Sequence, residues 1–204
     1  MLRHGKPTRE YRSRCGSGAT HVGSCQAGEM EPEQLRLAAQ VFADLPDVKG
    51  KRFAIVTARF YEDLATWLED GARRGLIACG VAENAIDVYT VPGCFELPLA
   101  ARKLLTGGKY DGIVALGVVI RGDTPHFDFV AGECARGIMD VQLATGMPIG
   151  FGVLTTNTLA QAEERADPAR MDKGYEAALA TATLAALTPK QKEETSVGFR
   201  AGRG

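Results

Sequence analysis

The sequence predicts a doubly wound α/β domain, on two observations. Four short apolar runs, rich in β-branched residues, each precede a segment whose apolar residues recur at helical spacing. Each run also ends in a turn carrying glycine, proline or polar side chains. Strands alternating with helices imply right-handed crossovers and a parallel sheet covered on both faces.

The elements follow in order. Residues 1–29 are rich in Gly, Ser and Arg and lack apolar periodicity, so they are expected to be disordered. Met30 is a candidate initiator, and a transit peptide is the second reading of what precedes it. Glu33 to Asp44 reads as a short helix ended by Pro46 and Gly50. Arg52 to Thr57 is the first strand. Leu64, Trp67, Leu68, Gly71, Ala72, Gly75, Leu76 and Cys79 then mark a helix over 63–79, stopped by Gly80. Ala85 to Val91 is the second strand, Pro92-Gly93 turns, and 95–105 is helical up to Gly107-Gly108. Ile113 to Ile120 is an unbroken apolar run, the mark of a strand buried on both faces. The helix over 127–145 ends at Gly146 and Pro148, and Ile149 to Leu154 is the fourth strand. Helices over 159–165 and 173–187 complete a domain spanning 30–187, and 188–204 reads as a flexible polar tail.

The totals narrow the function. With 204 residues the chain can bury a core of its own. Lys plus Arg number 24 and Asp plus Glu 25, a net charge of −1, which argues against nucleic-acid or membrane-surface binding. No apolar run approaches the roughly 18 residues of a membrane span. Five cysteines without a C-x-x-C spacing fit neither a disulfide framework nor a zinc site; reduced thiols in a cytoplasmic protein fit. Of the three histidines only His126 falls in the expected fold, so no metal site is expected.

A parallel sheet gathers the turns after its strands at one edge, where ligands bind. These are Arg59-Phe60-Tyr61, Pro92-Gly93-Cys94-Phe95-Glu96, the stretch from Arg121 to His126, and Thr155-Thr156-Asn157. A lone loop Phe usually caps a core; two at one edge, Phe60 and Phe95, favour a planar ligand. Glu96 can accept from a ligand N–H or serve as a favourable charge at a helix start. Gly122-Asp123-Thr124 before a helix is a weak anion-site signal, since such turns are common caps, and the Asp123 carboxylate opposes an anion. His126 beside it is a candidate for proton transfer. Arg165 and Lys173 read by default as surface charge and matter if their loop reaches a phosphate.

Taken together, the motifs Ala58-Arg59-Phe60, Val91 through Pro98, Ala115-Leu116-Gly117 through Gly122, Thr124 through Asp128, Phe151 through Thr155 and Lys173-Gly174 resemble the 6,7-dimethyl-8-ribityllumazine synthases of riboflavin biosynthesis. The likeness runs in order from about Arg52 to Leu187. It implies a flavodoxin-like domain with a four-stranded parallel sheet, assembled as homopentamers and in some members as shells of them. It implies condensation of 5-amino-6-(D-ribitylamino)uracil with 3,4-dihydroxy-2-butanone 4-phosphate, giving the lumazine, phosphate and water without metal or organic cofactor. Carried onto this chain, the resemblance gives Phe60, Cys94, Phe95, Glu96, Val118, Val119 and Ile120 to the pyrimidine and its ribityl chain. It gives Asp123, Thr124 and Arg165 to the phosphate, and His126 to proton donation. Phe151, Arg165 and Lys173 would come from a neighbouring subunit. Three positions depart from the pattern: Tyr61 stands for a usual Asn, Cys94 for Ala and Asp123 for a small residue. The loop from Ala166 to Asp172 lacks the glycines of shell-forming members, so a pentamer or a pair of pentamers is expected. A low-activity paralogue that binds a flavin or lumazine is the alternative reading.

Overall fold

The computed structural model describes residues 44–187. The stretch 1–29, the first eleven residues of the helix expected over 33–44, and the tail lie outside the described residues. The order is β1 (Phe53–Ala58), α1 (Glu62–Ala78), β2 (Ile86–Val91), α2 (Leu97–Thr106), β3 (Gly112–Ile120), α3 (His126–Thr145), β4 (Ile149–Thr156), α4 (Leu159–Ala166) and α5 (Lys173–Ala186). The four strands form one parallel sheet in the order β2-β1-β3-β4. This is the expected flavodoxin-like arrangement.

The sheet is buried because alternate residues of its central strands serve opposite cores. Phe53, Ile55, Val114 and Leu116 pack under α1, α4 and α5, against Leu68, Leu76, Ala162 and Ala178. Ala54, Val56, Ile113 and Ala115 pack under α2 and α3, against Leu97, Ala101, Cys134 and Ile138. Burying a Leu or Ile side chain stabilises by roughly 1.5–3 kcal/mol, and Leu68, Leu76, Leu97 and Leu116 are fully enclosed. α1 and α5 meet at glycines: a side chain at Gly174 would overlap the carbonyl of Leu68, and one at Gly75 would come 2.8 Å from the Ala178 methyl.

Two boundaries differ from expectation by more than one residue. The segment from Phe95 is not helical at once: Cys94–Glu96 forms a 3₁₀ turn, and the α-helix begins at Leu97. Pro98 lies in the first turn of that helix, where its missing N–H costs nothing. β4 continues past Leu154 to Thr156, because the ladder to β3 holds up to the pair Ile120–Thr156. Thr155 and Thr156 are therefore strand rather than loop. The stop after α3 is as expected: Gly146 adopts φ 67° and its amide closes on the Gln142 carbonyl.

Candidate active site

Strand order sets the place of the site. The chain leaves β1 toward β2 on one side and returns to β3 on the other, which opens a crevice beyond the carboxyl ends of β1 and β3. The register deepens it. Pairing of β1 with β3 stops at Thr57–Leu116, whereas β3 pairs with β4 as far as Ile120–Thr156. Residues 117–120 thus stand past the end of the β1–β3 ladder.

A cavity of about 670 Å³ occupies this crevice. Phe60 and Tyr61 form one wall, the Gly93–Glu96 turn another, Val118, Val119 and Ile120 the floor, and Gly122, Thr124 and His126 the far rim. Phe60 and Phe95 remain 75% and 60% exposed. Two large apolar rings facing each other's cavity are surface that a ligand or another chain can cover. Phe60 is held by its neighbours: its ring meets Tyr61 edge-on at 5.1 Å. The preceding Arg59 binds Glu62, Thr66 and Glu69 of α1, which fixes the turn.

Cys94 differs from its neighbours. Its side chain is buried and its thiol donates to the Val118 carbonyl at 3.7 Å. A β-carbon at Gly117 would stand 2.5 Å from its sulfur, so the turn seats on β3 only over a glycine. Burial, then the nearby Glu96, push the thiol up to about 11, so it is a neutral packing group at neutral pH. Glu96 spends one carboxylate oxygen on the Gly93 amide at 3.0 Å. Both readings of this residue are compatible with that bond, since among the described residues the second oxygen carries no such contact. Thr124 and His126 flank Pro125, at the start of α3, where no side chain among the described residues caps the helix. Asp123 is exposed on the same turn and lines no part of the cavity.

The family model for 6,7-dimethyl-8-ribityllumazine synthase matches residues 50–189. A 6,7-dimethyl-8-ribityllumazine synthase of Gemmatimonas aurantiaca is 49% identical over 139 residues, 68% of this chain and 85% of that protein. One of Desulfatibacillum aliphaticivorans is 44% identical over 144 residues, 71% of this chain and 93% of that protein. The chain belongs to the 6,7-dimethyl-8-ribityllumazine synthase family.

In this lumazine synthase chain, the remaining candidate residues lie elsewhere. Phe151, Arg165 and Lys173 line a second cavity of about 440 Å³ between β4, α4 and α5, which shares no lining residue with the first. Arg165 donates to the Gln161 carbonyl at 2.9 Å and pairs with Glu164 at 3.5 Å; Lys173 pairs with Glu176 at 2.6 Å. Both cations are oriented, and Phe151 is 44% exposed beside them. One copy of the chain therefore holds two separate sets of candidate residues.

Sequence reasoning missed Phe129 and Val130, which line the first cavity from α3. Their signal was available: His126, Phe129 and Val130 stand at i, i+3 and i+4, one face of a helix. No group of three or more metal-ligating side chains lies close together among the described residues.

Proposed function

We infer that this chain condenses 5-amino-6-(D-ribitylamino)uracil with 3,4-dihydroxy-2-butanone 4-phosphate to 6,7-dimethyl-8-ribityllumazine, releasing phosphate and water. It is a transferase of riboflavin biosynthesis. Family membership over residues 50–189 carries the activity. The observation that supports the site assignment is the cavity in which Phe60, Phe95, Thr124 and His126 meet.

In our reading the pyrimidine lies against Phe60 and along the backbone of Val118 to Ile120. The ribityl chain runs toward Cys94, Phe95 and Glu96. Thr124 and the uncapped amides at the start of α3 face the phosphate, an arrangement that suits an anion. His126 donates the proton that imine formation and phosphate departure require. The amine is a nucleophile and the ketone an electrophile. Holding the two together can lower the barrier by up to ~7–11 kcal/mol. An acid or base contributes typically 10²–10⁴-fold, roughly 3–5 kcal/mol, so positioning dominates.

The second cavity has its place in the same reading. Arg165, Lys173 and Phe151 of one subunit complete the Phe60 cavity of the next. Contact between two different patches is head-to-tail, and such contacts close into rings; we take the ring to be a homopentamer, alone or paired. The setting is cytoplasmic, in keeping with the free thiols of Cys79, Cys94 and Cys134. No helix among the described residues is long and apolar enough to cross a membrane.

Mixing the full-length protein with both substrates and following lumazine absorbance and released phosphate tests the activity. Equal amounts of the two products are expected. Protein that binds a lumazine but releases no phosphate above the uncatalysed rate would overturn the assignment.

A further inference from the structure

Arg121 opens the candidate site's longest turn, directly after β3, yet its side chain does not line the cavity; its neighbours Ile120 and Gly122 do. It is held beside the cavity by several contacts, one of them to Phe127, whose ring lines it. Its two terminal nitrogens donate to the two carboxylate oxygens of Asp128, at 2.8 and 3.2 Å. Its Nε donates to the Asn157 side-chain oxygen at 3.3 Å. Its guanidinium carbon stands 4.1 Å from the centre of the Phe127 ring, and its backbone amide donates to the Thr156 carbonyl at 2.9 Å.

We propose that Arg121 is a positioning residue for the phosphate-bearing substrate, bracing from behind the turn that presents Thr124 and His126. The inference rests on the reading of that turn as the phosphate subsite. Arg121 and Asp128 stand at the two ends of the segment 121–128, and Thr124 and His126 lie between them. A bidentate pair across those ends fixes the path of everything inside it. The bond to Asn157 ties the same turn to the end of β4, so the rim cannot swing as a free loop.

Stability does not account for this arrangement. The side chains of Arg121 and Asp128 are 43% and 59% exposed, and exposed pairs add little to folding. What the pair supplies is direction: donors aimed at a bound anion lose effect when they tilt or shift by a fraction of an ångström. It also supplies charge balance. Asp128 stands in the first turn of α3 and Asp123 on the turn itself, two carboxylates near the place assigned to an anion. Hydrogen bonding by Arg121 holds the Asp128 carboxyl below its usual range, so the pair stays ionised at working pH and cancels one of those charges.

The planar fork matters because one group must bind Asp128 with two bonds, reach Asn157 and stack on Phe127 together. A lysine keeps the charge and loses all of that geometry.

The test is steady-state kinetics of the full-length protein, varying each substrate in turn, on Arg121→Lys, Asp128→Asn, the double variant and Thr124→Ala. The single variants Arg121→Lys and Asp128→Asn are each expected to raise KM for the butanone phosphate about ten-fold, with KM for the pyrimidine within about two-fold of wild type. The double variant is expected to be no worse than the weaker single, because the two residues act as a unit. Wild-type KM for the butanone phosphate in both single variants, beside a raised KM in Thr124→Ala, would overturn the brace and leave the phosphate subsite standing. An equal rise in both KM values with a lowered melting temperature would also overturn it, since that is loss of structure. If Thr124→Ala leaves KM unchanged, the subsite reading itself fails and takes the brace with it. Asp128→Asn is isosteric and exposed, so a folded variant for the comparison is secure.

Discussion

The two cavities that hold the candidate residues differ in kind. The first, beyond β1 and β3, is walled by aromatic rings and strand backbone, with an imidazole and a hydroxyl at its rim. The second, between β4, α4 and α5, is smaller and carries the cations Arg165 and Lys173 beside a single ring. In our reading the first holds the flat pyrimidine, and the second brings Arg165 and Lys173, each paired with a carboxylate, to the phosphate. The chosen reaction needs both, because one substrate is a planar pyrimidine and the other carries a phosphate. Each cavity alone lacks what the other has, and they share no lining residue. On the proposed reading, one copy carries both sets of candidate side chains without bringing them together.

Variants on the two sides separate the roles. The largest effect is expected from His126→Ala, a fall in kcat of about 10²-fold, the low end for a general acid, because no hydrogen bond from another described residue orients the imidazole. A fall of 10⁴ would show proton transfer, not positioning, to be the dominant contribution. Next comes Arg165→Ala. It should raise KM for the butanone phosphate about thirty-fold and change kcat less, as expected for losing a charge-assisted bond to substrate. An unchanged KM would remove the second cavity from the reaction.

The smallest effects belong to Cys94. Cys94→Ala should leave kcat within about two-fold, since a neutral buried thiol offers no nucleophile. Stability should respond to pH instead. Folding holds this thiol neutral up to about 11 and Cys134 up to about 12, both mainly through burial. The unfolded thiols ionise near ~8.5. Their contribution is thus full below that value and is lost as pH rises toward the folded values. Alkaline unfolding followed by circular dichroism should show stability falling from about pH 9 upward. Cys94→Ala should flatten that fall.

The first cavity was legible in the sequence to a degree the second was not. Topology alone brings the turns after β1, β2 and β3 to one edge, so Phe60, Phe95, Thr124 and His126 could be grouped without knowing a single distance. Phe129 and Val130 are not legible from the turns, since they reach the cavity from inside α3. That 117–120 pairs with β4 but not with β1 was also hidden, since register is set by which strands end where and not by any residue in the run. The role of Cys94 needed its burial and the close seat over Gly117, neither of which residue type reveals. Arg165 is the sharpest case. Its charge marks it as ordinary surface, and the task proposed for it needs a site completed by another copy. The 3₁₀ turn before α2 was missed for a local reason: Phe95 looks helical in spacing, but Pro98 delays the helix to Leu97.

Subunit complementation tests the relation between the cavities most directly. Arg165→Ala and His126→Ala chains are each expected to be weakly active alone at low butanone phosphate. Co-expressed in equal amounts, random mixing leaves about one quarter of the sites with an intact His126 from one chain and an intact Arg165 from its neighbour. Activity at low butanone phosphate should then rise to about a quarter of wild type, well above the mean of the two variants. Activity equal to that mean, in mixed assemblies verified by mass, would show that each chain works with its own residues alone and would contradict the account.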